Sequence, residues 1–437
     1  MDKFRDPIHG FIEVREYERK IINTKAFQRL RNIKQLAMTH YIYPGAEHTR
    51  FGHSLGVMHL VTRAFRSAIQ GYKESFSENE KEEYGIKFPE AKQKQYEQIL
   101  RIIALTHDIG HAPFSHASEV VFPKGLEHED FTRKIICETE IADIINKIGE
   151  EFCKQYGKEY NITPELISNI YLGRDAGPNS EYTFLKTFMD SELDCDKMDY
   201  LLRDSYFCGV KYGMYDVERL ISSFTICFKD QIPRLAIQSG GVQVFEEFVL
   251  ARYFMFIQVY FHRTRRYFDI MLGRALEKIL PDGRYPENTE EYLEWDDCRI
   301  IQLLKEMAGS DDACRNIVER YVYPTVFHTK VHPQESDERE FNRNLKDLKK
   351  EVGEENLIVD KSAGKMPHKI PKKIEIENEK AIIIYEASTG RKTTISEESD
   401  IIRNLTEKIN IMRIYCNSQK SKIAFDKIKE YNETTEG

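Results

Sequence analysis

The run Ile99-Leu100-Arg101-Ile102-Ile103-Ala104-Leu105 leads straight into Thr106-His107-Asp108. A segment this apolar at helical spacing has to be buried, so it carries an imidazole and a carboxylate into the interior at its C-terminal end. A second helical pattern, Val57, Leu60, Val61, Ala64, Phe65 and Ala68, bears His53 one turn upstream of its apolar face. A third, SELDCDKMDYLLRDSY, sets Glu192, Asp196, Tyr200 and Asp204 at four-residue intervals beside Lys197 and Arg203. So many ionisable groups against apolar neighbours are costly unless they pair or bind something. Any fold for this chain must close helices around a polar centre.

The physical reading is that His53, His107, Asp108 and Asp196 converge on one divalent metal. Two neutral imidazoles and two carboxylates neutralise such an ion and leave positions for water and a phosphate oxygen. The donor set suits Mn, Fe, Zn or Ni better than Ca, and Mg is compatible with it. Singly, each residue reads more simply as a cap, a surface ion pair or a satisfied core histidine. Jointly, with the adjoining Gly and Pro turns, they read as a site.

Along the chain, residues 16–280 read as mainly helical. Residues 73–98, charged and weakly apolar, read as an exposed excursion between two core helices. Phe245 to Leu272 reads as one helix, buried on one side, with the basic run His262 to Arg266 as a solvated face, an oligomer contact or a ligand contact. After Pro281 come a short helix near 299–304, β-branched runs at 357–360, 372–378 and 380–387, and a helix leading to a strand over 401–416. The polar tail reads as frayed. The expected fold class is mainly α, with a helical core at 1–280 and a smaller C-terminal α+β lobe at 281–437. A chain of 437 residues is long enough for both.

The net charge of −8 disfavours a generally basic nucleic-acid scaffold, leaving nucleic acid an open question. The basic KMPHKIPKK at 365–373 has no interleaved aromatics and reads as a solubilising loop. The eight cysteines are scattered without a CxxC pair, and Cys195 reads as a core thiol. No stretch approaches the length of a membrane span and the N-terminus has no signal-like apolar segment, so a cytoplasmic protein with no membrane partner is expected.

The ordered motifs DPIHG (6–10), FQRLRNIKQL (27–36), HTRFGHSLGV (48–57), HDIGHAPFSH (107–116), EHE (127–129) and DCDKMDYLLRDS (194–205) together resemble HD-superfamily phosphohydrolases. The nearest branch holds the SAM-and-HD-domain deoxynucleoside triphosphate triphosphohydrolases and their bacterial relatives without a SAM domain. The resemblance spans about the first 280 residues, and RIYC at 413–416 extends it faintly. It implies an HD-domain helical core, ligation of the metal by His53, His107, Asp108 and Asp196, and a further Mg accompanying the nucleotide. It also implies cleavage of a dNTP to a deoxynucleoside and inorganic triphosphate.

By motif, Arg50 matches an arginine at the α-phosphate and His128 a catalytic histidine supported by Glu129, with His111 close to the phosphates. Lys197 and Tyr200 face the nucleotide, and Gln35 and Asp204 read the sugar 3′-hydroxyl. Expulsion of a 5′-alkoxide needs a proton donor such as His128. The family further implies a homodimer or homotetramer and an allosteric nucleotide. Asn23 stands where regulated members use a carboxylate to read guanine, and Asn cannot accept the same paired donors. Gln258 aligns with a phosphate-binding Arg, leaving Arg263, Arg265 or Arg266 to supply that charge. His9, His40 and His48 read as supporting residues. Two other functions compete: an HD phosphodiesterase or nuclease acting on single-stranded nucleic acid or cyclic or modified nucleotides, and a nucleotide-sensing oligomeric scaffold.

Overall fold

In a computed structural model of the protein the described residues are 2–75, 88–173, 182–229, 232–361, 368–370, 378 and 381–435. The middle of the 73–98 excursion, the strand expected at 372–378 except residue 378, and most of the 365–373 loop lie outside them.

A hairpin of β1 (Asp2–Asp6) and β2 (Gly10–Val14) opens the chain. Its turn forms because the Asp6 carboxylate accepts the Ile8 and His9 N–H groups at 2.9 and 3.0 Å. Helices α1 (Glu16–Ile22) and α2 (Lys25–Arg29) follow. Two long helices, α3 (Arg50–Ser75) and α4 (Glu90–Thr106), pack along their apolar faces, where Leu60, Val61, Ala64, Ile99 and Ile102 have no exposed surface. Around them lie α5 (His128–Glu138), α6 (Glu140–Tyr156) and α7 (Cys195–Cys208). Cys195 is buried, as expected of a core thiol.

Three expectations need correction. The region up to 280 contains β3 (Phe224–Lys229) and β4 (Ile232–Gln238), whose alternation was hidden by apolar residues on both faces. The aromatic stretch is broken: α8 (Val242–Met255) passes through a π-turn at Phe256–Tyr260, and α9 (Arg263–Ile279) restarts after His262, whose ring accepts the Thr264 N–H at 3.3 Å. The polar tail is helical over α12 (Ser421–Thr435).

Between α9 and α12 come α10 (Asp297–Met307), β5 (Thr325–His328), α11 (Glu335–Val352), β6 (Leu357–Lys361), β7 (Ile383–Glu386), β8 (Arg391–Thr394) and β9 (Met412–Cys416). One sheet has the order β3-β4-β7-β8 and pairs β4 parallel to β7, with Ala236 opposite Ile383, so residues on either side of 280 share it. The second has the antiparallel order β5-β9-β6. The protein is thus mainly helical, with its sheets assembled largely from the C-terminal part.

Candidate metal centre and active site

His53 occupies the first turn of α3 and is fully buried. Its Nδ1 donates to Asp199 Oδ2 at 2.8 Å, which fixes the tautomer and leaves Nε2 facing Asp196 Oδ1 at 2.9 Å and Asp108 Oδ2 at 3.6 Å. His107 closes α4. Its Nδ1 donates to the Ala104 carbonyl at 2.8 Å, and its Nε2 is buried with no hydrogen-bond partner. That nitrogen stands 3.3 Å from Asp108 Oδ1 and 3.7 Å from Asp196 Oδ1. One ligand atom each from His53, His107 and Asp196 lie within 4.8 Å of one another.

This donor set fits a divalent ion. A buried imidazole lone pair without a partner is costly unless a cation takes it. The surroundings also favour positive charge: burial alone would depress His53, yet hydrogen bonds accepted by Asp196 and Asp199 push it up to about 10. Asp108 is held well below the usual carboxylate range, against burial, by Arg50 and the neighbouring imidazoles. Arg50 places Nη1 on Asp108 and Nε on Ser115 Oγ at 2.8 Å.

A second cluster adjoins the first. His111 and His128 stack with ring centroids 3.9 Å apart. Glu119 Oε1 accepts from His111 Nδ1 at 2.8 Å and lies 3.3 Å from His128 Nδ1, and its other oxygen accepts from His116. Glu129 is also 3.3 Å from His128. Burial, Arg50 and His128 push His111 down to about 3, whereas Glu119 and Glu129 raise His128 against its burial. One imidazole of the stack is therefore neutral and the other poised to carry a proton.

On the other side, Asp204 accepts from His48 Nε2 and from the Tyr260 hydroxyl, both at 2.7 Å. Gln35 donates its backbone N–H to the His48 carbonyl at 3.1 Å, and its Oε1 is buried without a partner. Lys197 bonds Asp194 Oδ2 at 2.5 Å, and burial pushes Tyr200 up to about 12.

Other expectations change. Glu192 precedes α7 rather than sharing its face, and bonds Arg252 of α8 at 2.9 Å. Gln258 is exposed; the buried cation beside Tyr200 and Lys197 is Arg252. Arg266 pairs instead with Asp360, and Arg265 bonds the Tyr260 carbonyl. Asn23 ends α1, exposed.

Three residues were missed by sequence reasoning. Asp199 accepts from His53, from His9 at 2.6 Å and from Arg203, which also bonds Asp6. Its signal was the four-residue spacing to Arg203 and the small Gly52 and Gly56 on α3. Glu119 carried little signal beyond following the histidine-rich loop. Arg252 was a lone cation inside an apolar helix.

The HD-domain sequence profile matches residues 50–191 and the HD-associated-region profile matches residues 215–431. Uncharacterized protein YwfO of Bacillus subtilis is 30% identical over 432 residues, covering 93% of this chain and 89% of its own. The SAMHD1-homolog deoxynucleoside triphosphate triphosphohydrolase of Dictyostelium discoideum is 30% identical, covering 74% of this chain and 59% of its own. The chain thus spans less than two thirds of that relative. Among solved structures, a hypothetical protein from Aquifex aeolicus superposes with TM-score 0.76 at 30% identity, covering 97% of this chain and 99% of that one. With the first profile covering His53, His107, Asp108, His111 and His128 and the second following it along the chain, the chain belongs to the HD-domain phosphohydrolases, a family of metal-dependent hydrolases.

Proposed function

We propose that the protein is a deoxynucleoside triphosphate triphosphohydrolase, cleaving a dNTP to the deoxynucleoside and inorganic triphosphate. The observation that carries the reading is on α7. Asp196, beside the imidazoles of His53 and His107, and Asp204, linked through the His48 ring and backbone to Gln35, are two turns apart on that one helix. Two turns span about 11 Å of axis, enough to set a phosphate-side and a sugar-side group on one nucleotide.

In this reading His53, His107, Asp108 and Asp196 hold one divalent ion. When bound, such an ion polarises the phosphoryl oxygens and lowers the pKa of an attacking water. Arg50, already oriented by Asp108 and Ser115, neutralises charge on the α-phosphate. Lys197, Arg252 and Tyr200 face the remaining phosphates. His128, whose protonated form Glu119 and Glu129 favour, donates a proton to the departing 5′-oxygen. Gln35 and Asp204 hold the 3′-hydroxyl, and a buried carboxylate deprived of that partner would penalise other substrates. The dNTP relative named above is consistent with this substrate class.

Incubation of the metal-loaded protein with each dNTP, with products resolved chromatographically, tests the reading. Nucleoside plus triphosphate is expected; pyrophosphate, orthophosphate or no turnover with any dNTP overturns it. His107→Ala should reduce bound metal, measured by elemental analysis, from near stoichiometric to a small fraction, with hydrolysis lost in parallel.

A further inference from the structure

Asp297, at the start of α10 and within the HD-associated region, is 3% exposed. It does not cap its own helix; Asp296 does that by accepting the Arg299 N–H. Instead Asp297 Oδ2 accepts the Lys34 N–H at 2.9 Å and Oδ1 accepts the Phe114 N–H at 2.7 Å. Lys34 immediately precedes Gln35. Phe114 immediately precedes Ser115, whose hydroxyl accepts from Arg50 and donates to the Lys34 carbonyl at 2.7 Å.

The loop held this way is under backbone strain. Phe114 and Ser115 both have left-handed φ, 58° and 56°, a conformation that a bulky side chain such as Phe rarely adopts. Arg29 adds a second tie between the same regions, donating to the Trp295 and His111 carbonyls at 2.7 and 2.9 Å. Burial pushes the Asp297 carboxyl up to about 7 against the pull of the two N–H bonds, and removing the carboxyl would leave both backbone donors without their acceptor.

We propose that Asp297 is a positioning residue for nucleotide recognition: its carboxylate staples the loop of Gln35 to the loop of Ser115, and so sets Gln35 and Arg50 in register for sugar and α-phosphate. The inference rests on the function proposed above. Two backbone donors converge from loops distant in sequence, and a carboxylate offers each one an oxygen. An Asn at the same place would turn its own N–H₂ toward one of the donors.

The test uses the full, metal-loaded chain and compares wild type with D297N, and with D297S in case the first does not fold. For each, kcat and KM are measured for a dNTP and for the matching 2′,3′-dideoxy analogue, together with amide hydrogen exchange of residues 33–36 and 113–116. The expected result is a fall of about tenfold in the preference for the 3′-hydroxyl, carried mainly by KM. Faster exchange at both loops and unchanged bound metal should accompany it. A lower melting temperature with the wild-type 3′-hydroxyl preference would reveal a merely structural residue and overturn the proposal. So would unchanged exchange at both loops. If the wild type turns over no dNTP, the functional reading fails by itself, and the exchange comparison still decides whether the staple exists.

Discussion

His111 and His128 stack on one another and are driven in opposite directions: burial, Arg50 and His128 hold His111 down, while Glu119, a carboxylate that histidine-rich sequence did not advertise, and Glu129 raise His128. Glu119 bonds His111 as a neutral ring and stabilises the proton on His128. The raised His128 pKa means the acid form is present below it and lost as pH rises through it, so the rate should fall on the alkaline side. Glu119→Gln removes the group that raises this pKa. The alkaline limb of the kcat profile should therefore move to lower pH, and kcat at pH 8 should drop roughly 10–100-fold. An unmoved limb would show that His128 is not the titrating acid. At this scale the sequence showed residue types better than partners. His53, His107, Asp108 and Asp196 were legible because apolar helices carried them inward. Glu119, Asp199 and Arg252 were not, because helical spacing gives a face but not the element packed against it.

The approach of α7 to α3 depends on missing side chains. A Cβ on Gly56 would stand 1.9 Å from Asp199 Oδ1 and 2.5 Å from Arg203 Nη2, so the carboxylate behind His53 reaches it only over a glycine. Gly56→Ala should cost about 1–3 kcal/mol in chemical denaturation, the usual range for overpacking. It should also weaken metal binding about 10–100-fold in a chelator competition, by turning Asp199 away from His53 Nδ1. Gly273→Ala is the control: its nearest neighbour is Val120 at 3.7 Å, and the change should be neutral or slightly stabilising. Equal losses in the two variants would sink the argument. Among elements, α3 and α7 were readable from periodicity, but α4 only from Ile99 on: residues 90–98, expected as part of an exposed excursion, are helical, and Gln95, Tyr96 and Gln98 are buried although the segment's charges mask that face. The break between α8 and α9 was not, because aromatic residues run through it unchanged and the interruption is imposed by what packs outside.

That outside contact joins distant parts of the molecule. Asp360 of β6, 1% exposed, accepts from Arg266 of α9 and Arg413 of β9 at 2.9 Å each, and Arg413 also donates to the Phe261 carbonyl at 2.6 Å. The π-turn just before that carbonyl ends in Tyr260, whose hydroxyl bonds Asp204. No local pattern in LIVD or RIYC announces this, since Asp360 and Arg413 are 53 residues apart and only the β6–β9 register brings them opposite one another. Asp360→Ala leaves the buried Arg413 and the partly exposed Arg266 without their shared carboxylate and should destabilise the protein by about 2–4 kcal/mol in urea unfolding. Its functional signature separates this from general loosening. With the kink released, Tyr260 should leave Asp204 first, so KM for a dNTP should rise while bound metal stays at the wild-type level, because His53, His107 and Asp196 are anchored on α3, α4 and α7. Parallel loss of metal and substrate binding at temperatures where the variant is folded would mean that the C-terminal sheet supports the whole core rather than the sugar side of the site.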